Sequence, residues 1–479
     1  MNDIWRDLLH ARADVTLAIG LVLAVGATLH ILLSKREVAS AVGWIGLVWF
    51  APILGVISYV VFGVNRVRRR ARTLRPPDAD PGDARVWQLP ASLDGLDSLG
   101  LGIFRITGRP LLAGTQVAVY QNGDAAYPPM LAAIEAARSS VGLSSYIFRD
   151  DLWGGRFITA LAGAARRGVA VRVLIDGIGG GWLASPAYHR LRGEGVPAAR
   201  FMHSLLPWRM PFFNLRNHRK ILVIDGTQAF TGGMNIADEN VMATNPKEPV
   251  QDLHFRIEGP VVAQLAEAFA DDWAFVAGEE LDDAAWLTPI DQHDGGMARA
   301  PMARVIDSGP DEDLEKVEFA ALQAVSCART SIAVMTPYFL PDERLITALS
   351  LAAMRGVAVD VVIPRQSNHA LVDWATRTNS VPLLADGVRI WQSPPPFHHT
   401  KLMVVDGAWS LIGSCNWDIR SFRLNFEVCT EIYDRDLAAM LSELMQRERA
   451  SELTRTELDA RSLPVRIRDA GARLMLPYL

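Results

Sequence analysis

The stretch NHRKILVIDGTQAFTGGMN at residues 217–235 returns as HHTKLMVVDGAWSLIGSCN at residues 398–416. Each copy runs His-x-Lys, four apolar residues, Asp-Gly, and then an Asn ten positions after the Asp. By average residue usage a single His-x-Lys-x4-Asp arises by chance in roughly a few per cent of chains this long, but two copies with matched tails do not. The runs ILVI and LMVV read as buried strands, whose period of two sets His218 with Lys220, and His399 with Lys401, on one strand face. Each Asp-Gly pair falls where a hairpin turn is expected, so Asp225 and Asp406, although part of the candidate catalytic motif, read first as turn or support residues.

The repetition extends outward from the motifs. FITALAGAARRGVAVRVLI at 157–175 aligns without gaps to LITALSLAAMRGVAVDVVI at 345–363, with 13 of 19 positions identical. Both segments read as a helix, a C-terminal glycine (Gly168, Gly356) and a buried strand. The preceding strands match as well, SSYIFRDD at 144–151 against MTPYFLPD at 335–342. Strands alternating with helices predict an α/β protein of two pseudo-symmetric lobes, each on a covered sheet, with the active site between them. The expected limits are residues 126–295 and 296–479, preceded by a linker and lead-in over 76–125 that opens on the Pro- and Asp-rich run Pro76 to Gly82.

Ahead of the linker, Val15 to Ser34 and Val38 to Val64 contain no charged residue. At about 1.5 Å per helical residue each is long enough for a hydrocarbon core of roughly 30 Å, which predicts a two-helix transmembrane hairpin within residues 1–75. Lys35, Arg36 and Glu37 join the two, placing both ends of the hairpin on one side. Arg66, Arg68, Arg69, Arg70, Arg72 and Arg75 follow, a cluster that the positive-inside rule keeps cytoplasmic and that attracts anionic headgroups. Asp3, Asp7 and Asp14 against Arg6 and Arg12 make a poor signal-peptide leader, so the anchor is expected to stay attached.

Paired histidines suit phosphodiester chemistry. One neutral imidazole attacks phosphorus, and the other protonates the leaving oxygen and later activates the acceptor hydroxyl. Lys220, Lys401, Asn235 and Asn416 are candidates to bind the phosphoryl oxygens. Asp252, 34 residues beyond His218, and Glu427, 28 beyond His399, are candidates to orient the imidazoles. No zinc or magnesium ligand cluster is visible, and no metal or other cofactor is expected. His189, His254 and His369 read as core or surface residues, and the spacing to Lys401 selects His399 over His398.

The paired motif with its GGMN and GSCN tails resembles the phospholipase D superfamily over essentially residues 126–479. Within it the chain is similar to the bacterial cardiolipin synthases, through the N-terminal apolar pair and then SSYIFRDD, GVAVRVLIDGIGG, NHRKILVIDG, GGMNIADE, DLHFRIEGP, TPYFLPD and RSFRLNFEV in order. The resemblance implies phospholipase D-like lobes and condensation of two phosphatidylglycerol molecules to cardiolipin and glycerol through a phosphatidyl-histidine. It also implies that His218 is the nucleophile and that Asp252 and Glu427 support the histidines, each across the interface of the half-sites. Ser367-Asn368, where many relatives carry an acidic residue, and the longer approach PPPFHHTK are departures that bear on the acceptor. The apolar segment FMHSLLPWRMPFFNL at 201–215, with Trp208 and Phe212, is a candidate bilayer contact for lipid entry, and the closing LMLPYL is expected to pack on a lobe.

Three readings compete with the synthase. A phospholipase D-type hydrolase or transphosphatidylase with another acceptor shares the chemistry and differs in water exclusion. A membrane-tethered nuclease uses the same histidines, but the net charge of −5 and the absence of a basic groove interleaved with aromatics exclude nucleic acid as the expected partner. An inactive scaffold has no need of two intact half-sites. Cys327, Cys415 and Cys429 are too few and too scattered for a disulfide framework, which points to a reducing compartment such as the cytoplasmic face of a bacterial inner membrane.

Overall fold

The computed structural model describes residues 2–35, 38–63, 93, 95–203, 215–281, 285–286, 300–310 and 313–474. The chain divides into an N-terminal helical unit and a larger unit that holds both motifs.

In the larger unit the duplicated sequence makes duplicated structure. The first lobe carries a seven-stranded sheet in the order Gln116–Gln121, Leu253–Glu258, Gln228–Gly232, Ile221–Ile224, Ser140–Ser145, Ala170–Asp176, Ala198–Phe201. The second repeats its last six strands as Asn425–Tyr433, Trp409–Gly413, Leu402–Val405, Ser331–Met335, Ala358–Pro364, Arg389–Ser393, flanked by Met302–Ser308 and Ser451–Leu453. In both lobes the strand after the repeated helix pairs in parallel with the strand before it, while the two motif strands are antiparallel. Helices cover the sheets, so ILVI and LMVV are buried throughout and need no alternation of polar residues.

The repeated helices, Leu152–Arg166 and Glu343–Met354, explain why this segment stayed so similar. Asp151 caps the first by accepting from the Gly154 amide at 2.9 Å, and Asp342 caps the second by accepting from Leu345 at 3.1 Å. Each ends at a glycine in the left-handed region, Gly168 at φ 88° and Gly356 at φ 90°, where a side chain would be strained. Phe157, Leu161 and Val173 in one core, and Leu345, Leu349 and Val361 in the other, are fully buried.

The lead-in differs from its expected form. Strand Gln116–Gln121 already belongs to the first sheet, whereas Leu112–Ala113 pairs with Met302–Ser308 of the second. Helix Asp97–Thr107 contributes Leu99 and Ile103 to the second lobe's core beside Val317 and Ala321. Residues 97–113 thus serve the lobe that follows later in the chain, which a reading by sequence neighbourhood does not see.

The N-terminal unit corrects the two-helix hairpin. Helix Asn2–Ser34 is continuous, and Asp14–Ser34 is the stretch long and apolar enough to cross a membrane, with mean hydropathy 2.3. The second apolar segment is broken: helix Val38–Phe50 has 13 residues, about 20 Å, short of a hydrocarbon core. Pro52 is the physical reason, since its ring displaces the fourth carbonyl back and pushes Ala51 out of the helical region, to φ −137° and ψ 78°. A new helix, Pro52–Ser58, and a wide turn over Tyr59–Gly63 follow. The chain doubles back there: Pro52 packs against Gly20, while the Tyr59 hydroxyl lies 2.7 Å from His30 Nδ1 and its ring 5.4 Å from Trp44. An unbroken second helix, and with it the placement of both ends on one side, no longer follows.

Candidate active site

Both motif strands end at the seam between the lobes, and each histidine is fixed by the other lobe. The lead-in Arg216–Asn217 pairs in parallel with Asn425–Phe426, and Phe397–His398 pairs in parallel with Val250–Gln251. The ladders continue through the His218 amide to the Phe426 carbonyl at 2.9 Å and the His399 amide to the Gln251 carbonyl at 2.7 Å. Side chains follow the same exchange. His218 Nδ1 meets Glu427 of the second lobe at 3.0 Å, and His399 Nδ1 meets Asp252 of the first at 3.0 Å.

The carboxylates are themselves held. Glu427, fully buried, accepts from the Ser414 hydroxyl at 2.5 Å and from the Asn425 amide at 3.1 Å. Asp252, 1% exposed, accepts from the Leu253 amide at 2.8 Å and the Thr400 hydroxyl at 3.2 Å. These oxygens are acceptors, so each imidazole donates from Nδ1 and keeps its lone pair on Nε2. The two small-residue tails differ for the same reason: a Cβ at Gly233 would sit 2.5 Å from Asp252 Oδ2, whereas Ser414 fits beside Glu427 and bonds to it.

Both histidines line one cavity of about 480 Å³, with Asn235 and Asn416 in its wall. Asn235 Oδ1 accepts from the Ile147 amide at 3.2 Å, and the Asn416 amide donates to Ser421 at 3.3 Å. Lys220 and Lys401 lie one layer back: Lys220 Nζ donates to the His218 carbonyl at 2.8 Å, and Lys401 Nζ to the His399 carbonyl. Their positive charge still acts on the imidazoles. Burial, reinforced by Lys220 and Lys401, holds His218 well below its usual range; burial and Lys401 lower His399 to about 3. Both shifts favour the neutral ring, the state a nitrogen nucleophile needs. Burial also lowers Lys220 to about 7 and Lys401 to about 8, and raises Glu427 to about 7. Asp252 falls to about 2 against its own burial, because Lys401 and His399 favour the carboxylate.

Asp225 and Asp406 are not brought to the cavity, which corrects their place among the candidate catalytic residues. Asp225, at φ 51°, accepts from the amides of Arg138, Ser139 and Ser140, and Asp406, at φ 50°, from those of Arg329, Thr330 and Ser331. Each pins the loop that enters its lobe's central strand. Asp225→Ala should therefore cost about 2–3 kcal/mol of stability, read by urea denaturation, through orphaned amides and an alanine in the left-handed region. An unchanged midpoint would contradict the pinning role.

Several cavity residues gave no signal through motif spacing. The Tyr146 ring packs 5.0 Å from that of His218, and Tyr338 and Phe397 pack 6.2 and 5.9 Å from His399. Arg216 and Arg420 reach the wall from the first lead-in strand and from helix Ile419–Arg423. His369, read as a core or surface residue, also lines the cavity, and the Tyr338 hydroxyl donates to Asn368 at 2.7 Å. His254, read as a core or surface residue, is buried, and so is His398. Among the described residues no group of acidic, histidine or cysteine side chains forms a metal cluster, and the three cysteines are unpaired.

Comparison with known proteins is consistent along the chain. The family model described as cardiolipin synthase, PLD-like domain, matches residues 130–273 and 321–449, and the phospholipase D-nuclease N-terminal model matches 22–63. A cardiolipin synthase of Geobacillus kaustophilus is 33% identical over 493 residues, covering 100% of this chain and 96% of its own. Cardiolipin synthase A of Pseudomonas aeruginosa is 33% identical over 471 residues, covering 96% and 94%. Among solved structures, the phosphatidylserine synthase of Haemophilus influenzae superposes with a TM-score of 0.60 at 14% identity, over 77% of this chain and 97% of its own. That likeness supports the two-lobe fold.

Proposed function

The chain belongs to the cardiolipin synthase family of proteins with two PLD-like domains, and from that premise we propose that it joins two phosphatidylglycerol molecules into cardiolipin and glycerol. The observation that carries the reading is the crossed pair, His218 on Glu427 and His399 on Asp252, in one cavity.

Nε2 of the nucleophile, which we assign to His218, attacks the phosphorus of the donor. The bond from phosphorus to the headgroup oxygen breaks, and His399 gives its proton to the departing glycerol. The terminal headgroup hydroxyl of a second phosphatidylglycerol then returns a proton to His399 and attacks phosphorus, breaking the P–N bond and freeing His218. Burial and Lys401 favour a neutral His399, and the charge of an anionic phosphodiester opposes both effects, so the proton that His399 donates is taken up with the donor lipid. Lys220, Lys401, Asn235 and Asn416 offset the charge that develops on the phosphoryl oxygens. Asp252 and Glu427 hold the ring tautomers and stabilise the imidazolium forms.

This assignment has a pH signature. A lysine whose pKa is lowered keeps its charge below that value and loses it above, so positive charge in the free site drains away between about 7 and 8. For a short-chain soluble phosphatidylglycerol, kcat/KM should fall on the alkaline side with a limb in that range. A flat profile to pH 9.5 would remove the lysines from phosphate binding.

We further place the chain in a bacterial inner membrane with the lobes on the cytoplasmic side, on the strength of the apolar helix and the six arginines that follow the apolar region. The proposed bilayer contact over 201–215 and the closing LMLPYL fall largely outside the described residues. Product analysis of the purified chain with phosphatidylglycerol in mixed micelles and EDTA tests the activity. Cardiolipin with glycerol is expected; phosphatidic acid alone would make the chain a hydrolase, and no turnover would remove the lipid reading.

A further inference from the structure

Helix Leu463–Arg473 has no counterpart among the described residues of the first lobe. It packs along helix Ala370–Ala385, which at 16 residues is twice the length of its first-lobe equivalent, Pro186–Gly193. Ala472 is buried in one cluster with Leu340, Val372 and Ala375, and the Arg468 guanidinium lies 4.2 Å over the Trp374 ring. The helix's one acid, Asp469, is fully buried and paired with Arg461 and Arg468. Leu340 and Val372 also line the catalytic cavity, so this helix is an outer layer of the cavity wall.

Its outward face is not that of a helix that only covers a lobe. Leu463, Ile467 and Leu474 are 67%, 63% and 81% exposed. On a helical wheel they fall, with the exposed Ala470, within about 60° of arc, and the exposed Arg466 and Arg473 edge that arc on one side. Single exposed leucines are ordinary, but an apolar stripe along three turns marks a binding surface. The charges around the stripe say what covers it. On the preceding helix Arg455–Asp459, Asp459 is paired with Arg455 and Glu457 closes a capping box with Thr454. An apolar stripe edged by arginines, with its helix's acid turned inward, matches the acyl and headgroup layers of an anionic lipid surface. A second copy meeting the stripe about a two-fold axis would instead set these arginines against one another. Helix Asp14–Ser34, long and apolar enough to cross a membrane, keeps lipid within reach of the lobes.

We infer that helix Leu463–Arg473 docks on an anionic membrane surface, with Leu463, Ile467 and Leu474 among the acyl chains and Arg466 and Arg473 at the headgroups. Through Ala472 the docked helix holds the Leu340 and Val372 wall of the cavity within roughly 20 Å of the lipid, two helix diameters. The contact goes beyond the synthase reading and does not depend on it.

A fluorescent label on the stripe tests it in the full chain. Ile467→Cys is made together with Cys327→Ser, Cys415 and Cys429 being buried, labelled with a nitrobenzoxadiazole group and reconstituted into vesicles. The vesicles contain phosphatidylcholine and phosphatidylserine, which supplies the anionic charge without being the proposed substrate. The emission should shift to the blue, be quenched by spin-labelled lipid and resist quenching by aqueous iodide. Arg466→Glu with Arg473→Glu should reverse these changes, as should vesicles of phosphatidylcholine alone. Leu463→Asp with Leu474→Asp should reverse them too, and these exposed substitutions should leave the melting temperature at its wild-type value. A label that stays open to iodide and untouched by spin-labelled lipid in the anionic vesicles overturns the inference. So does a label shielded from both quenchers while unlabelled Ile467→Cys chains form disulfide-linked pairs, which would make a second copy the occupant. None of these readings needs turnover, so this inference and the synthase reading fail separately.

Discussion

His218→Ala and His399→Ala should each lower cardiolipin formation by about four orders of magnitude, because one removes the nucleophile and the other the acid and base. Both side chains line the cavity, and each is tied through Nδ1 to a buried carboxylate, so alanine leaves a folded wall with no imidazole to replace it. An activated donor separates the two roles. A nitrophenyl phosphodiester needs little help from an acid, so His399→Ala should regain most of its first-turnover burst of nitrophenol on that substrate, with slow turnover afterwards, while His218→Ala should give no burst. The opposite pattern would exchange the two roles, and substantial activity in both variants would remove the histidines from the chemistry.

The second large effect belongs to the crossed carboxylates. Glu427→Gln and Asp252→Asn keep nearly the same shape but lose the charge that steadies a developing imidazolium, for which a loss of about 10²- to 10⁴-fold is expected. The crossing makes the prediction specific, since Glu427 serves His218 although it lies in the other motif's lobe, and Asp252 serves His399. Adding Glu427→Gln to His218→Ala should therefore cost little more than His218→Ala alone, and Asp252→Asn should behave likewise with His399→Ala. Strong additivity within those pairs would contradict the geometry.

The sequence made the duplicated parts of this molecule legible and left the unduplicated parts obscure. The repeated helix, its aspartate cap, its C-terminal glycine and the buried strand all use local rules that single positions express, and a second copy removes the ambiguity of each. His218 and His399 could be selected because a strand's period puts them on one face with their lysines. The layer positions were not legible: Lys220 and Lys401 share a strand face with the histidines, yet their Nζ atoms turn back to the histidine carbonyls. Asp225 and Asp406 sit inside the motif but act on amides 85 to 87 and 75 to 77 residues away in sequence, which only the folded register discloses. Arg216, Arg420 and His369 were passed over because each occurs in a single lobe, where repetition gives no help. The apolar segment after Val38 failed for a different reason, since hydropathy counts length and composition while Pro52 acts on backbone geometry.

On the proposed mechanism one chain carries out two successive displacements at phosphorus through a covalent histidine adduct shared between its lobes. Each displacement in line inverts the phosphorus centre, so two restore it. Phosphatidylglycerol bearing a single-isomer phosphorothioate in place of the phosphodiester should give cardiolipin with net retention of configuration at the transferred phosphorus. Net inversion would mean that the acceptor hydroxyl attacks the donor directly, and the phosphatidyl-histidine account would be wrong.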